Sequence, residues 1–161
     1  MYTVGIKDRV EQLSDVPQSD IGARLPAVLA DEHRVLLAYL DSNVDPNWDG
    51  TYVNIITPDT DGSVAIVCFS HALLHMFGPP NDEALDGHPL EKRGLCSYSA
   101  FQVHNSSWLD SCIEMNRVHP LHSDSHFDGL RHFIFTFHDS TFECLARSIS
   151  VSLFPGSMNS A

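Results

Sequence analysis

The chain has 161 residues, the size of one ordinary domain, and 43% of them are apolar, enough for a real core. Twenty-one Asp and Glu against nine Lys and Arg give a net charge of −12, with no local cluster of basic residues, so neither nucleic acid nor an anionic membrane surface is an expected partner. No stretch has the roughly 18 consecutive apolar residues of a membrane span, and MYTVGIKDRVEQLSDV at the start lacks the apolar core of a secretion signal, so the expected location is cytoplasmic.

Residues 1–22 are polar and weakly patterned and read as a loose arm or a short frayed helix; one globular domain is expected over 23–154 and a polar tail over 155–161. RLPAVLADEH offers a short helix after Pro26. RVLLAYLD, from Arg34 to Asp41, is a compact apolar run of the kind found in core strands. SNVDPNWDGT is a loop by its Asn, Asp, Pro and Gly. TYVNIIT and SVAIVCF flank PDTDG and predict a hairpin whose turn uses the positive-φ tolerance of Asp61-Gly62. HALLHMF continues that arm or begins another strand.

GPPNDEALDGHPLEKRG, from Gly78 to Gly94, is a long loop with two proline-rich breaks, and loops of that length inside a compact domain are often functional or mobile. LCSYSAFQVHN, from Leu95 to Asn105, predicts a strand with Tyr98, Ala100, Gln102 and His104 on one face. SSWLDSCIEMNRV carries the clearest helix pattern: Ser107 can cap it, Asp110 sits near the positive dipole end, and Trp108, Cys112 and Met115, with Leu109 and Ile113, form the apolar stripe. Pro120 marks its stop. HPLHSDSHFDG is a polar loop or a helical turn, FTFHDSTFEC a tight hairpin, and SISVSLF a last or edge strand. The sum is an α+β domain, mainly antiparallel sheet, open-barrel or sandwich-like, with one well-defined helix packed on it.

Cys68, Cys96, Cys112 and Cys144 are widely spaced, without C-x-x-C, and read as reduced thiols acting as small apolar residues.

The last hairpin poses the functional question. With Asp139-Ser140 as a two-residue turn, alternation puts Phe133, Phe135, Phe137, Phe142, Cys144 and Ala146 on a core face. The opposite face holds His132, Ile134, Thr136, His138, Thr141, Glu143, Leu145 and Arg147, with His138 and Glu143 as diagonal neighbours. A carboxylate beside an imidazole fixes its tautomer, so His138 and Glu143 form a candidate general acid/base pair. A solvated strand face fits the same alternation. Thr136, Tyr98, His104, Asn81 and Trp108 are the candidate substrate-binding residues. His88, held between Gly87 and Pro89 in the long loop, is a third candidate catalytic residue, placed over a pocket mouth.

Ten histidines are well above an ordinary share. His119, His122 and His126 would converge on one helix face and resemble a three-histidine zinc arrangement, but Pro120 argues against a regular helix there. With His132 they are the candidate ligands of a divalent metal; no other cofactor is expected. His71 and His75 are a weaker pair, with no carboxylate fixed beside them. G-x-S-x-G, the P-loop, G-x-G-x-x-G and H-E-x-x-H are all missing, which counts against the common hydrolase and nucleotide-dependent classes.

FGPPNDEALDGHPL, NSSWL, NRVHP and RHFIFTFHDSTFEC together resemble a family of small uncharacterised bacterial proteins, over about Arg34 to Arg147. The resemblance implies no activity. It implies that these strings are one unit, containing Asn81, Asp82, Glu83, His88, Trp108, His119, His138 and Glu143.

Three readings follow. The first is a small nucleotide-independent enzyme acting on a small polar or amphipathic molecule by His/Glu acid-base chemistry of lyase, isomerase, cyclase or hydrolase type. The second is a histidine-ligated metal enzyme, and the third a non-catalytic module for a protein or small ligand. Oligomeric state is not written in the sequence.

Overall fold

A computed structural model describes residues 2–21, 26–42 and 57–160. Among them are nine strands and one α-helix: β1 (Arg9–Gln12), β2 (Ala27–Ala30), β3 (Arg34–Leu40), β4 (Gly62–Ser70), β5 (Leu74–Gly78), β6 (Ala100–His104), α1 (Ser107–Asn116), β7 (Arg131–Thr136), β8 (Thr141–Ala146) and β9 (Ser148–Gly156). They form two antiparallel sheets, ordered β1-β6-β7-β8-β5 and β2-β3-β4-β9, and close no barrel. No helix among the described residues is long and apolar enough to cross a membrane.

The sheets meet through one apolar cluster. Val35, Leu37, Tyr39, Ala65, Val67 and Phe69 come from the four-stranded sheet, and Ala100, Phe133, Phe135, Phe142, Cys144 and Ala146 from the five-stranded one. Phe69 sits at its centre, 5.1–5.9 Å in ring centroid from Phe133, Phe135 and Phe142. These phenylalanines are the face expected from alternation in the last hairpin.

The turn of that hairpin differs from expectation. Phe137 N–H donates to Ser140 O at 2.8 Å, so His138-Asp139 is the turn, and Thr136 pairs with Thr141, Phe135 with Phe142 and Ile134 with Glu143. The pairing is displaced by two positions from that of an Asp139-Ser140 turn. An even displacement keeps every side chain on its face, so the core face survives while the cross-strand partners change.

The opposite face of the hairpin is not solvated. His132, Ile134, Thr136, Glu143 and Leu145 are all buried. Leu85 and Leu90 of the long loop and Leu95 just after it cover one part of it, with Phe101 and Val103 of β6, and Trp108, Cys112 and Phe127 cover another. Tyr2 packs against both groups. The long loop is itself structured, with 3-10 turns over Asp82–Gly87 and Glu91–Arg93.

Several local expectations are corrected. Residues 9–12 are a strand paired with β6, because Arg9–Gln12 find open backbone partners along His104–Phe101. Ala27–Ala30 are strand rather than helix: the Asp31 carboxylate accepts the N–H groups of His33 and Arg34, which turns the chain back into β3. The predicted strand over 95–105 shortens to Ala100–His104, since Tyr98 and Asn105 take positive φ at either side. Ser106, not Ser107, caps α1 by accepting from Leu109 N, and Met115 is exposed with its neighbours Glu114 and Asn116. Residues 155 and 156 continue β9, and Met158 packs under Leu40 and Val64. The loop expected over 42–51 and the hairpin arm expected over 51–57 lie almost wholly outside the described residues; the second arm is β4, paired with β3 and β9.

Candidate functional site

The turn at His138-Asp139 lifts the imidazole off the strand face and brings it to the start of the long loop. Asp82 N–H donates to His138 O at 3.0 Å, and His138 Nδ1 lies 2.9 Å from Asp82 Oδ2. Tyr98 completes the group: its hydroxyl donates to Asp82 Oδ2, lies 3.1 Å from His138 Nδ1, and its ring stacks on the imidazole at 6.4 Å and 16°. Tyr98 holds this place from a left-handed backbone, φ 58°, a conformation costing a non-glycine residue about 1–3 kcal/mol and concentrated at functional sites.

Hydrogen bonds, first from Tyr98 and then from His138, hold the Asp82 carboxyl below its ordinary range. Burial, and then the Asp82 hydrogen bond, push the Tyr98 phenol up to about 12. Tyr98 therefore keeps its proton and Asp82 accepts. That leaves the other nitrogen of His138, Nε2, facing the Asp139 carboxylate at 4.0 Å. Asp139 lines an open groove of about 540 Å³ together with Pro79, Pro80, Asn81, Ala84 and Gly87. Asn81 also caps the 3-10 turn that carries Asp82, its side chain accepting from Ala84 N.

Glu143 is elsewhere and has other partners. In the observed register it is diagonal to His132, and His132 Nε2 donates to its Oε2 at 2.9 Å. His88 Nε2 lies 3.3 Å from Oε1, and the Tyr2 hydroxyl donates to Oε2 at 2.6 Å. The expected His138–Glu143 pair is thus not formed: each residue is real as a polar centre, but the two belong to separate groups. Burial alone would raise the Glu143 pKa; the hydrogen bonds and charge of His132, with His88 and Tyr2, outweigh it and hold the carboxyl down at about 2. Burial and the adjacent carboxylate push the Tyr2 phenol far upward.

The tautomer of His88 follows from its other contact. Leu90 N–H donates to His88 Nδ1 at 3.2 Å, so Nε2 carries the hydrogen and points it at Glu143. A metal at Glu143 would need that nitrogen's lone pair. Among the described residues no three His, Cys, Asp or Glu side chains are placed to hold a metal ion. His122 is hydrogen-bonded to Asn116 and Asp124, His119 Nδ1 accepts from Leu121 N, His126 is exposed, and His132 is buried on Glu143.

Ser106 Oγ, 2.9 Å from His132 Nδ1, extends the chain to Ser106–His132–Glu143, the contact order of a hydrolase triad. The surroundings do not match that use. Ser106 is buried and occupied in capping Leu109 N, and Asp8 takes the Ser107 N–H that an oxyanion would require. The arrangement ties α1 to the sheet.

The remaining candidates are scattered. Trp108 is buried against Tyr2 and His132. Thr136 spends its hydroxyl on the backbone of Cys96 and Ser99. His104 pairs with Glu11 of β1 on the surface. Sequence reasoning did not connect Asp82 to His138, although the Asn81-Asp82 start of a 3-10 turn is a readable capping pattern. Tyr2 carried no readable signal, and Ser106 lies one residue from the expected cap, Ser107. No family model, curated protein or solved structure matches the chain, so the two polar groups are read from their own chemistry.

Proposed function

We propose that His138 acts as a general base, oriented by Asp82, on a small polar or amphipathic molecule held in the groove of Pro79, Pro80, Asn81, Ala84 and Gly87. The contact of Asp82 Oδ2 with His138 Nδ1 supports this reading most directly. Asp82 accepts the Nδ1 hydrogen and leaves Nε2 as the basic nitrogen. When Nε2 takes a proton from the substrate, the adjacent carboxylate stabilises the imidazolium that forms. Tyr98 fixes Asp82, and Asp139 beside Nε2 favours a substrate without negative charge at the reacting end. The chemistry is proton transfer of the lyase, isomerase, cyclase or hydrolase type.

The rigid apolar wall of Pro79 and Pro80 equally suits a module that binds such a molecule without turning it over. One experiment separates the two. A panel of small carbonyl compounds and esters is tested for turnover and, by ligand-observed NMR, for binding. Any turnover should fall about 10²–10⁴-fold in His138→Asn with binding retained. Turnover unaffected by His138→Asn would sink the catalytic reading, and binding without turnover would leave the module.

A further inference from the structure

We propose that the chamber under Tyr2 is a binding site for small neutral phenols, and that the Tyr2 side chain is its built-in occupant. The Tyr2 ring stacks on Trp108 at 5.3 Å and 10°, meets His132 edge-on at 5.5 Å and 79°, and ends with its hydroxyl on Glu143 Oε2. Trp108 and His132 are themselves in edge contact, at 5.0 Å and 70°.

The chamber does not depend on Tyr2 for its shape. Glu143 sits on a central strand with β7 and β5 on either side. Its two other donors come from His132 on β7 and from His88, whose ring is fixed by Leu90 N–H. Ser106 fixes the far side of His132, and α1 carries Trp108. What remains for the occupant is a flat aromatic slot ending in one buried, ionised acceptor to which no Lys or Arg among the described residues is bonded. A phenol satisfies both halves of that slot. A carboxylate or phosphate is repelled by Glu143, and a hydrocarbon leaves the acceptor short of a donor.

Tyr2 arrives from outside the sheet, on a strap held both in the chamber and at Gly5–Asp8. Gly5 N–H donates to Asp8 Oδ2 and Ser107 Oγ, and Arg93 binds the carbonyls of Gly5, Ile6 and Asp8. A Cβ on Gly5 would stand 2.5 Å from Ser107 Oγ, the atom that accepts the Gly5 N–H, so an alanine there displaces that hydroxyl and weakens the hold on the strap. A phenolic ligand therefore competes with Tyr2 and frees the strap.

The test uses the full chain with p-cresol as probe and toluene and 4-methylbenzoate as controls. Tyr2→Ala should bind p-cresol at least about tenfold more tightly than either control, as expected for one hydrogen bond to a charged acceptor. Gly5→Ala, which leaves every chamber residue in place, should bind p-cresol about tenfold more tightly than the unaltered chain. In the unaltered chain, saturating p-cresol should accelerate amide hydrogen exchange at residues 2–8 and leave 131–146 unchanged. A folded Tyr2→Ala protein with no preference for p-cresol over toluene would overturn the site. Exchange at residues 2–8 indifferent to p-cresol would overturn the competition. Should Tyr2→Ala not fold, the Gly5→Ala affinity and the exchange measurement carry the decision between them. The residues of the chamber are not those of the groove along Pro79, Pro80 and Asp139, so neither result depends on the function proposed for His138.

Discussion

Asp82 Oδ2 and His138 Nδ1 lie 2.9 Å apart although 56 positions separate them in the chain. The contact joins the first 3-10 turn of the long loop to the tip of the β7–β8 hairpin. It makes a specific statement about protons: the neutral His138 ring carries its hydrogen on Nδ1, whereas the neutral His88 ring carries it on Nε2. Nitrogen-15 correlation spectra of the two rings distinguish these tautomers. Asp82→Ala should move His138 toward the Nε2–H form and leave His88 unchanged. A His138 ring already in the Nε2–H form in the unaltered chain would remove the basis for its proposed role.

Glu143 predicts an acid-side loss of stability. Its folded pKa, about 2, lies below its ordinary value of 4.5. A depressed carboxyl contributes stability that is fully present above the unfolded value. The contribution is lost as pH falls from about 4.5 through about 2, and amounts to about 3 kcal/mol. Urea unfolding followed between pH 7 and pH 2 should show that slope, and Glu143→Gln should flatten it. An equal slope in the variant would assign the effect to other carboxyls, such as Asp82, which is also depressed.

Removing the Glu143 side chain is a different perturbation. Glu143→Ala leaves the Tyr2 hydroxyl and the two imidazole N–H groups without their acceptor. The expected loss is about 3–5 kcal/mol, a large share of the usual 5–15 kcal/mol of a domain. Chemical denaturation measures it at pH 7, and a loss under about 1 kcal/mol would mean that water replaces the carboxylate at little cost.

Phe135→Ala tests the core. The ring is buried between Tyr39, Phe69 and Phe142. Truncation should cost about 3–5 kcal/mol through lost burial and the cavity left behind. A near-zero effect would place the wrong hairpin face inside.

The four thiols are free but unequal. Cys96 is exposed and Cys68 half-buried, while Cys112 and Cys144 are buried. Burial also pushes the Cys144 thiol up to about 12 and raises that of Cys112, and the thiolate is the reactive form. A thiol reagent should label Cys96 fastest, Cys68 more slowly, and Cys112 and Cys144 only on unfolding; rapid labelling of Cys144 in the native protein would contradict its position between the sheets.

Which residues form the core was legible in the sequence, because alternation is a local property. Phe133, Phe135 and Phe142 fall on one face of a strand wherever the turn is placed, provided the pairing shifts by an even number. RVLLAYLD and SVAIVCF declared themselves strands by β-branched and apolar residues, and SSWLDSCIEMN declared itself a helix by its stripe and its serines. Polar residues of proton-moving type on the other hairpin face were equally visible. Their partners were not. A turn one residue earlier than expected put His138 at the tip instead of the face, and a pairing displaced by two positions gave Glu143 to His132. Tyr2 reaches Glu143 across 141 positions, and no local pattern encodes such a contact. Side-chain spacing along a strand is set by the chain's own stereochemistry, so the sequence alone determines which face is apolar. What covers the opposite face, and which charge meets which imidazole, is decided only when distant segments compete for the same buried hydrogen-bonding groups in the folded protein.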